Sequence, residues 1–252
     1  MVINTLTMTV MFFSLFYLLK EFVFISKDPK KMYNIHSRVN SLVHGIIQIV
    51  LPLMYLLNND SSIQFQKEKF LVKIVCVSTG YFLYDLPLAE MYKLNSKELT
   101  IHHIFGFLGL FLSGMLQGGA FYTALGLFAA EVTNPFMNFK YFLRFYNMRH
   151  TKIYELIDAI YLVSYIIFRG GIGTYGIVSM YFDPNASIFI MLMFCAIYLQ
   201  SMNFIFKMIN MLKSKVKQMK CREKEGIQYF WFKKNPEVIN LSYIKEKETN
   251  IW

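Results

Sequence analysis

Seven stretches of this chain stay apolar for roughly 20 residues each, the length an α-helix needs to cross the hydrocarbon core of a bilayer. They run over about 2–25, 38–57, 70–92, 98–116, 120–143, 153–180 and 185–206, and the connections between them are short. This feature dictates the fold class. In hydrocarbon a spanning backbone must satisfy its own hydrogen bonds, so the chain reads as an all-α integral membrane protein of about seven transmembrane helices. Composition agrees: 55% of the 252 residues are apolar, 17% are aromatic, and the mean hydropathy is +0.37. The first run begins close to Met1 with no basic region before it and no small-residue cleavage site after it. It is expected to be a retained helix and not a signal peptide. Cys76, Cys195 and Cys221 lie far apart and show neither metal nor disulfide spacing.

The net charge is +10, and its distribution sets an expected orientation. Residues 207–252 hold eleven Lys or Arg against five Glu, and so supply six of the ten surplus charges. "KDPKKMYNIHSR", the residues around Lys93 and Lys97, and those around Arg144, Arg149 and Lys152 are also basic, whereas the alternate loops "QGGA" and "YFDPNAS" carry no Lys or Arg. Only Lys67 and Lys69 run against this trend. Positive charge collects on the cytosolic side, which predicts an N-terminus outside or in a lumen and a C-terminus in the cytosol. In a mitochondrial inner membrane the inner side would be the matrix. A basic tail beside membrane spans fits anionic lipid, and no nucleic-acid motif accompanies it. The aromatic "YFWF" at residues 229–232 leaves both a membrane-surface and a solvated position open for that tail.

Polar residues at membrane depth are costly and usually face a bundle interior. Here they fall on helical stripes. Ser41, His44, Gln48, Pro52 and Tyr55 share a face of the second span, and Ser78, Tyr81, Asp85 and Tyr92 share one on the third. His102, Gly106, Gly109 and Ser113 do so on the fourth, Glu131, Asn134 and Asn138 on the fifth, and Asp158, Tyr161, Tyr165 and Arg169 on the sixth. Five one-sided stripes predict a ring of helices about a polar or amphipathic interior. Counting rise per residue puts His102 and His103 about 8 Å below the inner boundary, with Asp85, Asp158 and Asn138 at about 8–10 Å. The same count puts Glu131 near the midplane and Arg169 roughly 25 Å from the inner side.

These residues admit two readings each. The adjacent histidines are either hydrogen-bonded structural groups or an acid–base pair, with Asp85 or Asp158 orienting an imidazole. Metal binding is the weaker reading, since adjacent histidines chelate poorly on a helix and no third ligand is evident. Glu131 and Arg169 read as an ion pair that fixes packing. Gly170, Gly171, Gly173 and Gly176 predict close helix approach or a kink beside Arg169, and Pro135 predicts a kink beside Glu131.

"GYFLYDL" (80–86), "HH" (102–103), "EVTNPFMNFKYFL" (131–143) and "FRGGIG" (168–173) follow one another in an order and spacing that resemble the TLC-domain family. That family includes ceramide synthases and TRAM-type translocon-associated proteins. The likeness is strongest to the small stand-alone TLC-domain-containing proteins, in which a Glu-x-x-x-Pro-Phe segment is typical. The resemblance covers about residues 35–215, with 1–34 as an N-terminal helix and basic loop and 216–252 as a basic and aromatic tail. It implies six helices in a barrel-like bundle around a lipid cavity, with the first span outside. By likeness to ceramide synthases it also implies His102 and His103 as acyl acceptor or general base, with acyl-CoA as donor and no resident cofactor. In this respect Tyr81, Glu131, Asn134, Asn138, Asp158, Tyr161, Tyr165 and Arg169 are expected to face the bound lipid. The ceramide-synthase pattern continues with a His-Asp, a second Asp, then Glu and Lys. Here Glu131 stands for the first Asp and Asn134 replaces the second, so the likeness implies the cavity more than it implies sphingoid-base acylation. The expected function is lipid or acyl-chain binding in lipid metabolism or homeostasis, with acyl transfer as its enzymatic form and the endoplasmic reticulum as the expected membrane. The alternative is an accessory subunit of a larger membrane complex that reuses the fold as scaffold.

Overall fold

The computed structural model describes residues 1–23, 27–57, 64–94, 96–115, 119–149, 151–224, 226 and 229–233. Parts of the "QGGA" loop and the tail beyond residue 233 lie outside the described residues. All regular structure among the described residues is helical. Helices α1 (Val2–Phe22), α2 (Pro29–Leu57), α3 (Gln64–Met91) and α4 (Lys97–Met115) are single rods, followed by α5 (Ala120–Glu131) and α6 (Asn134–Phe145). A composite rod comes next: α7 (Lys152–Tyr165), a π-helical stretch (Ile166–Ile172) and α8 (Gly173–Phe182). Helix α9 (Ile188–Lys224) ends the described helices.

Six of these rods are long and apolar enough to cross a membrane, and the chain is an integral membrane protein. The fifth expected span differs because it is broken into α5 and α6, of 12 residues each. Its cause is Pro135, which lacks the N–H that would donate to the carbonyl of Glu131 and sits in the first turn of α6, where that loss is harmless. The outward faces of the rods are greasy: Val10, Leu18, Val50, Val163, Leu199 and Phe206 are all exposed. In water such a surface would aggregate, whereas in a bilayer it faces lipid.

Helix α3 is the centre. Two thirds (67%) of its apolar window is buried inside the protein, against 17–28% for the other spanning rods. Phe12 and Phe16 of α1 pack fully buried onto Tyr84 and its neighbours in α3. Helix α2 contributes donors to the backbones of its neighbours: Asn40 Nδ2 donates to the carbonyl of Phe12 at 3.1 Å, and Gln48 Nε2 to that of Ile74 at 2.8 Å. No water is available at that depth to satisfy these amides, so each fixes a register between rods. His36 Nε2 lies 2.9 Å from the carbonyl of Val23 and ties α2 to the end of α1 in the same manner.

The last helix is longer than the seventh expected span. It continues past residue 206 as a basic extension that docks on α7, where Lys215 pairs with Asp158 and, at 2.6 Å, with Glu155. The "YFWF" segment caps α7 through its backbone, while the side chains of Phe230, Trp231 and Phe232 stay exposed. Phe230 accepts from the backbone N–H of Lys152 at 2.9 Å, and Thr151 Oγ1 accepts from that of Tyr154 at 3.3 Å. Both supply partners that the first turn of a helix lacks.

Close contact between α1 and α3 depends on Gly80. A Cβ there would lie 2.6 Å from Met8 Cβ and 2.9 Å from the carbonyl oxygen of Thr5, so the two backbones would have to part. Gly80→Ala should destabilise the detergent-solubilised protein by about 1–3 kcal/mol, read by thermal or denaturant unfolding. Gly171→Ala, which meets nothing within 4 Å, is the control and should be neutral or mildly stabilising.

Candidate functional site: a polar chamber joined to an apolar cavity

A chamber with about 810 Å³ of empty space, part of it open to the outside, lies between α2, α3, α4, α5, α6, α7 and α9. Asn34, Ser37, Arg38 and Ser41 present one face of α2 to it, at the i, i+3, i+4 and i+7 spacing of a helical stripe. Helix α3 contributes Tyr81, Phe82 and Asp85, α4 contributes Leu99 and both histidines, and Glu131 and Asn134 flank the α5–α6 break. The end at Asn34, Arg38, Leu94 and Leu99 is the one next to the basic connections.

The two histidines are held by different partners. His103 Nδ1 lies 2.8 Å from Asp85 Oδ2, while Asp85 Oδ1 accepts from Ser37 Oγ at 3.3 Å and from the hydroxyl of Tyr81 at 3.4 Å. The carboxylate is buried and is therefore fixed in place. His102 Nδ1 lies 3.2 Å from Gln200 Oε1 on α9. Gln200 Nε2 donates to the backbone carbonyl of Glu98 at 2.6 Å, which forces the amide oxygen toward the histidine. With Nδ1 of each ring beside a side-chain oxygen, Nε2 is the ring nitrogen left for a ligand. Two imidazoles with ring centres 6.0 Å apart thus offer basic nitrogens in or beside one chamber.

Glu131 and Arg169 do not form the expected ion pair. Glu131 Oε2 accepts from Asn134 Nδ2 at 2.5 Å and lies 3.7 Å from His44 Nδ1, so it is turned toward α2. Arg169 donates through Nη2 to the carbonyl of Ala130 at 2.9 Å and lays its guanidinium over the ring of Tyr165 at 5.1 Å. The reason is local. Helix α5 ends at Glu131, which frees carbonyls in its last turn, and an arginine satisfies one of them better than a distant carboxylate that already has partners. The π-helical stretch that carries Arg169 adds one residue to the turn and includes Gly170 and Gly171.

An apolar cavity with about 860 Å³ of empty space, part of it open to the outside, lies beside the chamber between α4, α5, α8 and α9. Its walls include Gly106, Gly109, Leu127, Ile190, Phe194 and Ile197. Small residues keep it open at its helix contacts: a Cβ on Gly126 would strike Phe194 at 2.6 Å, and one on Gly173 would meet Tyr198 at 3.1 Å. Four residues border both spaces, namely Phe82, His102, Glu131 and Arg169.

The chamber and the cavity lie side by side among α2 to α9, and no described residue of α1 lines either. The family model described as TLC domain matches residues 34–213, well over half of the chain. The chain belongs to the TLC-domain family. TLC domain-containing protein 1 from Mus musculus is 27% identical over 162 residues, and its Homo sapiens counterpart is 26% identical over 156 residues. Both matches cover 58% of this chain, and 60% and 61% of the relatives respectively. The Gallus gallus protein of the same name is 24% identical over 150 residues, covering 58% of this chain and 59% of its own. The chain spans about three fifths of the length of these curated relatives.

In this TLC-domain protein, Tyr81, Asp85, His102, His103, Glu131, Asn134, Tyr161, Tyr165 and Arg169 all line the chamber. Arg169 shares it with residues that rise-per-residue counting put far nearer the inner side. Asp85 meets His103 and not His102. Asp158 and Asn138 do not line the chamber. Asp158 is held by Lys140 at 2.5 Å and by Lys215, and Asn138 Nδ2 donates to Ser41 Oγ at 3.3 Å. Asp158 lies on α7 beside the basic face of α9, and that pairing turns it from the interior. Sequence reasoning missed Gln200, whose signal was a lone amide in the apolar run 188–199 and its continuation. It also missed Ser37 and Arg38, which lie at the expected start of the second span. His44 was placed on a stripe but lies behind the chamber wall, stacked on Tyr81 at 4.1 Å and facing Ser78 Oγ at 3.0 Å.

Asp158→Asn should leave two partly buried lysines short of a counter-charge and cost on the order of 2 kcal/mol of stability. The melting temperature of the purified variant should fall, while its copurifying lipid, measured by mass spectrometry, should match that of the unaltered protein.

Proposed function

We propose that this protein binds a lipid with its acyl chain in the apolar cavity and its polar end in the chamber, and acts in lipid metabolism or homeostasis. The chemistry for which the chamber is equipped is acyl transfer from acyl-CoA. One observation carries this reading: the two spaces meet at a wall that includes His102 and Arg169, so the carbonyl end of a chain in the cavity would lie beside a basic nitrogen. An amine or hydroxyl acceptor in the chamber would pass its proton to His103 Nε2, with Asp85 holding the ring from the other nitrogen. The acceptor then bonds to the thioester carbonyl carbon, the C–S bond breaks, and the CoA thiolate recovers the proton from the imidazolium. His102 is the second basic nitrogen, placed nearer the chain.

Orientation follows the charge rule: N-terminus outside or lumenal, C-terminus cytosolic, with the chamber mouth on the basic side where a phosphate-bearing donor is attracted. The endoplasmic reticulum is the proposed membrane, by family likeness.

The test is purification into nanodiscs, followed by lipid mass spectrometry and an acyl-CoA turnover assay. A defined acyl lipid should copurify, and His103→Ala should lower turnover at least about 100-fold. Full turnover in both His103→Ala and His102→Ala would remove the histidines from the mechanism. Retained lipid with no turnover by the unaltered protein would confine its role to binding.

A further inference from the structure

We infer that Arg169 is the group that binds the C1 oxygen of the acyl chain, as a carboxylate or as an acyl carbonyl, at the polar end of the apolar cavity. The inference rests on the lipid-binding reading and assigns that ligand its anchoring point. Three observations point to it. Arg169 borders both the chamber and the apolar cavity, together with His102. Its guanidinium has five N–H donors in a fixed fork, and its hydrogen bond to the protein is the one from Nη2 to Ala130. Its Nε is buried without a hydrogen-bond partner, and no carboxylate among the described residues lies within ion-pair distance of it.

Such an arginine is unusual for a membrane protein. A charge at this depth is normally paired, because an unpaired one costs several kcal/mol. Glu131 supplies compensation at longer range, but its Oε2 accepts from Asn134 and lies 3.5 Å from the place of a Cβ on Gly45, directed toward α2. The guanidinium face is taken by Tyr165. The N–H donors of the fork not committed to Ala130 are of the kind that bind carboxylate and carbonyl oxygens in the plane. The greasy walls at Gly106, Leu127 and Phe194 suit the methylenes that follow C1. No other cation borders the apolar cavity among the described residues. A chain anchored in this way has its first carbon near the imidazole of His102.

The experiment measures binding of radiolabelled hexadecanoic acid, methyl hexadecanoate and hexadecanol to the full chain in nanodiscs. The unaltered protein should prefer the acid, the ester or both over the alcohol. Arg169→Gln should weaken the preferred ligand at least about 10-fold, the scale of a hydrogen bond to a charged group, and leave hexadecanol within about twofold. Loss confined to the acid identifies a free carboxylate as the ligand; loss of acid and ester together identifies the acyl carbonyl. Equal weakening of all three, in a variant with an unaltered melting temperature, overturns the proposal and leaves Arg169 as a shaper of the cavity. If Arg169→Gln does not fold, the unaltered protein still decides: equal binding of acid, ester and alcohol overturns the proposal. Failure of the unaltered protein to bind any of the three overturns the lipid-binding reading itself.

Discussion

The hydrogen bond from Arg169 to the carbonyl of Ala130 joins the two irregular places in an otherwise regular bundle. One is the gap between α5 and α6, and the other is the π-helical stretch before α8. Irregular backbone at membrane depth persists only where protein groups or a wet cavity satisfy it. Here each irregularity serves the other. The break frees a carbonyl, and the π-helical stretch brings an arginine to meet it. The polar chamber and the apolar cavity share a wall because this junction holds Glu131 and Arg169 beside His102.

Around the junction, specificity comes from polar groups and not from apolar burial alone. Lipid tails are as greasy as leucine, so the hydrophobic effect does little to hold one spanning helix against another. Close approach at Gly80 and the amide-to-carbonyl bonds from Asn40 and Gln48 set where α1, α2 and α3 sit. Gln200 and Glu98 do the same for α4 and α9, with Lys207 adding an ion pair to Glu98 at 3.1 Å. Asp85 is placed by a hydroxyl from α2, a phenol from its own helix and an imidazole from α4. A site assembled from such contacts is rigid before any ligand arrives.

Much of this was legible from periodicity. Apolar run length gave the helices, and one-sided stripes gave the chamber faces of α3, α5 and α7 with Tyr81, Asp85, Glu131, Tyr161, Tyr165 and Arg169 on them. Depth was less legible. Counting 1.5 Å per residue assumes straight, unbroken rods perpendicular to the membrane. The α5–α6 break, the π-helical stretch and helix tilt all violate that assumption, and Arg169 accordingly shares a chamber with residues it was counted away from. Charge pairing was the other blind spot. The basic run after Lys207 looked like a tail, yet α9 continues through it and delivers Lys215 to Asp158. Nothing in the periodicity of the sixth span distinguishes an aspartate that faces a cavity from one that faces lysines on two other helices, Lys140 and Lys215. Gln200 was missed for a related reason: a single amide makes no stripe, and its role depends on a backbone carbonyl from another helix.

The contrast between the two histidines has a chemical consequence. Asp85 is a carboxylate partner, and its Oδ2 lies 2.8 Å from His103 Nδ1. Gln200 is a neutral amide partner, and Arg169 borders the same space as His102. Adjacent residues with the same side chain are thereby made unequal by what holds their Nδ1 atoms. His103 is tied to the carboxylate on α3, whereas His102 stands at the wall between the polar and apolar spaces. A helix carries neighbours about 100° apart, so one residue faces α3 and the other α9, and the division of roles follows from that geometry.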